Sequence, residues 1–320
     1  MISGEKLYII GMYYRQKEMM NLGRGRNLLY FFATGLVMLI ALVLMIAFFF
    51  DMPERKPKDP HEGQVYLYDG KDWIWMTPLE GVPVNTLTAE KFASEGPVRY
   101  LGTEYDVLRG IDVSEHQWEI DWKQAAGSGL DFACVRLGRR GYTEGGLFED
   151  PWFEKNMQGA SEAGLMTGVY FFSQAVNVGE AIEEANFVLS RIASYKIDAP
   201  VVYDWELVSE EGARTAELSA ATRTDCAVAF CETIRRAGYT PCVYFNRDMG
   251  YYGYDLTRLA DYMFWFTLPV SPFPNFYYAC DMWQYSFTEE VPGVTGLADM
   301  NLWFIPKPQV QSSESVEGNT

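Results

Sequence analysis

Twenty-three consecutive residues, Leu28 to Phe50 (LLYFFATGLVMLIALVLMIAFFF), carry no charged side chain. As a helix, that run is long enough to cross about 30 Å of hydrocarbon. A buried core helix keeps a polar stripe, and this stretch has none. The competing reading is a cleaved signal peptide. Against it, 27 residues precede the run, the run is too long for a signal peptide, and no small-x-small cleavage site comes after Phe50. The pattern predicts an uncleaved transmembrane helix over 28–50.

Beyond the span the pattern changes twice. DMPERKPKDPHEG (51–63) is charged and Pro-rich and reads as a linker. In 64–107, QVYLYDG and DWIWMTP alternate apolar and polar positions around Asp69-Gly70, a hairpin signal. That region is expected to be small and β-rich, a spacer or a brace against the next domain. From 108 onward, short apolar runs recur: LRGIDVS (108–114), DFACVRLG (131–138), LMTGVYFFS (165–173), APVVYDWE (199–206), TPCVYFNR (240–247), YMFWFTLP (262–269), ACDMWQYS (279–286) and ADMNLWF (298–304). Helical periodicity fills 150–164, 177–195 and 217–238.

Strands buried on both faces and alternating with helices predict a parallel sheet, and eight of them predict closure into a barrel. The connections at 270–278 and 287–297 show no helical pattern. The expected fold class is therefore α/β: an irregular TIM-like β/α barrel over 108–305, about five β/α units and then three strands. It would be preceded by the transmembrane helix and the small β-rich segment. The polar residues 306–320 are expected to be a disordered tail.

Charge orients the chain. Lys6, Arg15, Lys17, Arg24 and Arg26 all precede the span, so residues 1–27 are expected in the cytoplasm and the C-terminal domain outside the cell. The first 50 residues have a net charge of +3 and the remainder −20. A body that acidic repels nucleic-acid backbones, so no nucleic-acid partner is expected. Two histidines far apart, His61 and His116, speak against a multi-histidine metal site. Cys134, Cys226, Cys231, Cys242 and Cys280 have no CxxC spacing and read as buried core thiols. A GxSxG elbow is absent. No metal and no cofactor are called for.

In a β/α barrel the reacting groups stand at the C-terminal ends of strands. Asp112 ends one run, Asp204 and Glu206 end another, and Asp299 stands in the last. Tyr170, Tyr244, Trp283, Gln284, Tyr285 and Asn301 accompany them. Residues i and i+2 of a strand share a face, roughly 7 Å apart at Cα. Asp204 and Glu206 are so placed, with Trp205 directed to the other side. Two carboxylates that close in a cleft cannot both ionise freely, so one keeps its proton. A protonated acid beside a carboxylate is what glycosidic cleavage needs. An isolated DxE triplet is as readily a pair of surface acids; Asp112 and Asp299 strengthen the catalytic reading.

RGIDVSEHQWEIDW (109–122), YDWE (203–206) and WQYSFTEEVPGVTGLADMNLW (283–303) resemble glycoside hydrolase family 25, as does FEDPWFEKNMQGASEAGLMTGVYFF (148–172). The family's members are lysozyme-type N-acetylmuramidases that cut peptidoglycan between N-acetylmuramic acid and N-acetylglucosamine. The resemblance implies that Glu206 is the general acid and Asp204 its paired carboxylate, with Asp112 and Asp299 lining the cleft. It implies peptidoglycan glycan strands as the partner, with Tyr170, Tyr244, Trp283, Tyr285, Gln284 and Asn301 as candidate sugar-binding residues. Two routes stay open: attack by the substrate's own 2-acetamido oxygen, with Asp204 stabilising the developing charge, or direct attack by water with inversion. The chain departs from the family at Trp118, where glycine is usual, at Tyr170-Phe171-Phe172, and in FWFTLPVSPF. His116 reads as a hydrogen-bonding residue of the rim. Two further readings remain: a non-catalytic wall-binding module, and a glycosidase on another N-acetylated glycan such as chitin.

Overall fold

The computed structural model describes residues 4–50, 59–93 and 95–308. Residues 51–58 of the expected linker and 309–320 of the expected tail lie outside the described residues. The chain divides into two compact units, Met1–Glu62 and Gly63–Thr320.

The first unit is dominated by one helix, α1 (Gly4–Phe50), 47 residues long. Within it Leu29–Phe48 has a mean hydropathy of 2.7 and is long and apolar enough to cross a membrane. Its described side chains are exposed throughout. The helix starts well before the apolar run, so the N-terminal segment read only as a cytoplasmic leader is helical from Gly4 onward.

The second unit opens with the expected hairpin. Strands β1 (Val65–Tyr68) and β2 (Trp73–Met76) pair antiparallel, Tyr68 opposite Trp73. Asp69 turns the chain: its Oδ1 accepts from Lys71 N and Asp72 N at 2.8 Å each. Gly70 takes φ 112 and lies against the Arg247 side chain, so a Cβ there would be crowded as well as strained. The next segment is laid along the barrel. Asn85 N donates to Tyr277 O (2.9 Å), Ala279 N to Pro83 O (2.8 Å), and Phe92 packs edge-on against Trp283 and Phe304. Residues 64–107 thus brace the barrel.

Eight strands close the barrel: β3 (Tyr105–Val113), β4 (Phe132–Arg140), β6 (Met166–Ser173), β7 (Val201–Trp205), β8 (Pro241–Asn246), β9 (Met263–Thr267), β10 (Met282–Glu289) and β11 (Ala298–Pro306). They match the eight apolar runs. Pairing from β3 through β10 is parallel, and β11 is antiparallel to both β10 and β3, which closes the ring. A short extra strand, β5 (Leu147–Glu149), folds back on β4.

The architecture departs from the expected TIM-like alternation. Only four connections carry an α-helix: α2 (Trp122–Gly127), α3 (Phe153–Glu162), α4 (Val178–Ile192) and α5 (Ala220–Arg236). After β8 there are only the single-turn segments Met249–Gly253 and Leu256–Arg258. Between β10 and β11 lie only residues 290–297, too few for the dozen or more a parallel crossover needs, so the chain turns back. The result is a mixed α/β fold around a closed eight-stranded barrel, with seven parallel strands and one antiparallel.

Local chemistry places the helices. Asn177 caps α4 by accepting from Glu180 N (3.0 Å), and Ser219 caps α5 by accepting from Thr222 N (3.1 Å). The buried face of α4, with Ala181, Ala185, Val188 and Ile192 at helical spacing, covers the outside of the barrel. Strand alternation divides the side chains. Phe132, Cys134, Val202, Cys242, Tyr244, Trp265 and Met282 fill the interior. Ile111, Val135, Val169, Phe171, Tyr203, Trp205, Phe245 and Phe266 face the surrounding layer. All five cysteines are buried and free.

Candidate active site

One end of the barrel interior opens as a cavity of about 370 Å³. Asp112, Asp204, Glu206 and Asp299 all line it, with Tyr170, Tyr244 and Gln284. Interior parity explains the convergence. Asp112 comes after Leu108 and Gly110 on β3, and Asp204 after Val202 on β7, each two residues further along the same face. Glu206 continues that face one step beyond β7. Asp299 is the second residue of β11, which runs the other way, so the start of that strand reaches the end where the others finish.

A hydrogen-bonded relay lies at the cavity floor. Trp265 Nε1 donates to Asn301 Oδ1 (2.9 Å), and Asn301 Nδ2 donates to Asp112 Oδ2 (2.7 Å). Gln284 Nε2 donates to the same oxygen (2.8 Å), and the Tyr244 hydroxyl donates to Gln284 Oε1 (2.7 Å). Asn301 is fully buried and does not reach the cavity; it acts on Asp112 from below. Glu206 is fixed through its backbone. Gln174 Nε2 donates to Glu206 O (2.9 Å), and Thr215 Oγ1 donates to Gln174 Oε1 (2.6 Å). The Asp204 carboxyl is buried, and its Oδ1 has no hydrogen-bond partner among the described residues.

Burial and mutual repulsion hold protons on these acids. Asp112 is pushed well above the usual carboxylate range by burial and then by Asp299, against the pull of Asn301 and Gln284. Asp204 is raised by burial, Glu206 and Asp112, with Arg136 pulling the other way. Glu206 is raised by burial and Asp299, and Asp299 is pushed up to about 6 by burial. All four carboxyls are thus shifted toward their protonated forms, which favours a proton donor beside an anionic acceptor.

Besides Asn301, two more sugar-binding candidates from the sequence lie outside the cavity. Trp283 and Tyr285 flank Gln284 on β10, so alternation turns both away from the cavity. Trp283 is fully buried, donates from Nε1 to Leu268 O (3.3 Å), and packs on Phe92 and Tyr285 in the outer layer. Both are core residues in this fold. Trp205 faces the outer layer as expected, with the Arg223 guanidinium over its ring at 5.0 Å.

The cavity also gathers residues that the strand-end reading passed over. Arg136, the one lysine or arginine among its described lining residues, donates from Nε to Asp150 Oδ2 (2.7 Å) and from Nη2 to Glu115 Oε1 (2.6 Å). Trp265, Tyr142, Phe172 and Phe287 complete the wall, and His116 sits on it with Ser114 and Gln117. Parity was the available signal: Arg136 lies two residues beyond Cys134, and Trp265 two beyond Met263, which packs against the interior. Among the described residues no group of three or more His, Cys, Asp or Glu is arranged to hold a metal ion.

The profile of glycosyl hydrolases family 25 matches residues 111–294, more than half of the chain and most of the barrel. The chain belongs to that family. This family 25 chain is 29% identical over 221 residues to the uncharacterised protein YegX of Escherichia coli O6:H1, covering 67% of this chain and 74% of YegX. It is 27% identical over 203 residues to lysozyme M1 of Streptomyces globisporus, covering 61% and 67%. The solved family 25 glycosyl hydrolase of Bacillus anthracis superposes with a TM-score of 0.51 at 20% identity, over 62% of this chain and 89% of that one, and so shares its fold. The family 25 chain is a glycoside hydrolase of the muramidase type.

Proposed function

We propose that this hydrolase cleaves the β-1,4 bond between N-acetylmuramic acid and N-acetylglucosamine in peptidoglycan, using the substrate's own acetamido group. The observation that carries the reading is the convergence of Asp204, Glu206, Asp112 and Asp299 on one cavity. Glu206 protonates the glycosidic oxygen as the C1–O bond breaks. The 2-acetamido carbonyl oxygen attacks C1 and gives an oxazolinium ion. Asp204 accepts the acetamido N–H and offsets the positive charge; its unpartnered buried Oδ1 supports that role. Glu206, now ionised, takes a proton from water as that water opens the ring, with net retention. Asp112, held by two amide donors, and Asp299 shape the field around the sugar. Tyr170, Tyr244 and Gln284 line the sugar path.

The test is mass spectrometry of the products released from purified peptidoglycan. Muramic acid at the new reducing end supports the reading. Glucosamine there, or release from chitin alone, overturns it. Glu206→Gln should lower turnover by about 10³-fold or more with an unchanged circular dichroism spectrum. A variant that still clears cell walls at the wild-type rate would remove Glu206 from the mechanism. Binding to walls with no reducing ends released would instead make the chain a binding module.

The same proposal includes attachment to the cell membrane through residues 28–50, N-terminus inside and hydrolase outside. It is supported by the apolar stretch Leu29–Phe48 and by the basic residues that precede it. The full chain should stay in the membrane fraction through alkaline carbonate washing, and a chain lacking residues 4–50 should not. Protease added outside intact protoplasts should digest the barrel.

A further inference from the structure

Trp118 occupies backbone space that suits glycine, at φ 54 and ψ −133. The surroundings hold it there from both sides. Upstream, the turn Glu115–Gln117 is capped reciprocally by Ser114 and Gln117. Glu115 N donates to Asp150 Oδ2 (3.0 Å), the oxygen that also takes Arg136 Nε. Downstream, Asp121 N donates to Gly293 O (2.8 Å), and Thr295 Oγ1 donates to Glu119 O (3.4 Å). The fold makes no visible use of the side chain. The indole is 63% exposed and has no ring or cation contact among the described residues. Strain kept at a non-glycine residue whose ring is mostly exposed points to a role outside folding.

The position suggests which role. Ser114, His116 and Gln117, just before it, line the acid cavity. Gln117 Nε2 reaches Leu297 O (3.5 Å) on the connection that follows β10, the strand carrying the cavity-lining Phe287. A large, mostly exposed ring therefore follows directly on residues that line the cleft. Pyranose rings present flat C–H faces, which complement the negative face of an indole. An indole has only two side-chain torsions to fix, so it loses little entropy on contact.

We propose that Trp118 is a stacking face for an N-acetylated amino-sugar ring next to the cleft, adding affinity for an extended glycan strand and no chemistry. The proposal rests on the muramidase reading. Trp118→Gly removes the ring and the strain together, whereas Trp118→Phe keeps a ring in the same backbone. Both are assayed in the full chain on glycan strands stripped of their peptides. Trp118→Gly should melt no lower than wild type, raise KM about tenfold and leave kcat within twofold. Trp118→Phe should keep KM within about threefold. Should the glycine variant melt lower, Trp118→Asn, which tolerates positive φ, takes its place in the same assay. A wild-type KM in the ring-free variant overturns the proposal. So does a KM effect seen only on sacculi that retain their stem peptides, which would put a peptide on the ring.

Failure of the muramidase reading is separately visible, as absence of muramic-acid reducing ends from the wild type. In that event chitotetraose titrated into Glu206→Gln, with and without Trp118→Gly, still decides the inference. Equal affinity and equal fluorescence quenching in the two would overturn it.

Discussion

Asp299 on β11 lies directly opposite Asp112 on β3, cross-strand partners in an antiparallel pair. Like-charged residues so placed normally destabilise a sheet. Here burial raises both carboxyls, and Asp299 raises Asp112 further. The pair sits where the barrel closes, so the seam of the fold and the acid cluster are built from the same two strands.

That relationship sets a pH dependence of stability. Asp299 is pushed up to about 6 from an ordinary value of 3.8, so the folded state binds its proton more tightly than the unfolded chain. The stabilisation is complete below about pH 4 and is lost as pH rises through about 6. Asp112, Asp204 and Glu206 are raised too and act with the same sign, as does Glu184, pushed up to about 7 by burial. Melting temperature should therefore fall between pH 5 and 7.5. Asp299→Asn should flatten that fall by about 3–6 °C in scans at matched ionic strength. An unchanged slope would show that Asp299 titrates normally.

Asn301 is a positioning residue for Asp112. Asn301→Ala leaves one of two donors on Asp112 Oδ2 and strands the Trp265 N–H. Loss of that donor raises the Asp112 carboxyl further. The variant should lose about 1–3 kcal/mol of stability and about 10- to 100-fold in kcat, with KM little changed. The limb of the pH–rate profile controlled by Asp112 should move to higher pH, which a purely structural defect would not produce.

The two faces of the barrel wall should separate in mutagenesis. Trp283→Ala empties a fully buried site in the outer layer and should cost about 3–5 kcal/mol in denaturant unfolding. Its KM should stay at the wild-type value at temperatures where it is folded. Tyr244→Phe removes only the hydroxyl that orients Gln284 and should cost about 1 kcal/mol, yet lower kcat/KM about tenfold.

Gln174 holds the main chain of Glu206, the proposed general acid. Gln174→Ala releases Glu206 O and the Thr215 hydroxyl together. Turnover should drop about tenfold while glycan affinity, measured in a Glu206→Gln background, stays within twofold.

Much of this could be read from the order of residues. All eight strands stand out as apolar runs because strands buried on both faces must be apolar nearly throughout. The apolar run Leu28 to Phe50 is equally plain, since it carries no polar stripe. The four acids stand out because a charge that ends an apolar strand is expensive to keep there without a purpose. What remained hidden depends on contacts made at long range. WQYS at 283–286 does not reveal by itself which of its side chains face the cavity; the register with β9 and β11 turns Gln284 inward and Trp283 and Tyr285 outward. Arg136 reads as one more residue of a core strand until β4 takes its place beside β3 and β6. The direction of β11 was settled by a connection too short to cross the barrel, and that reversal brings Asp299 to Asp112. Composition and periodicity determined which segments would be strands and which residues could do chemistry. Tertiary structure decided which of those residues share a cavity, because facing and proximity are set by partners far away in the chain.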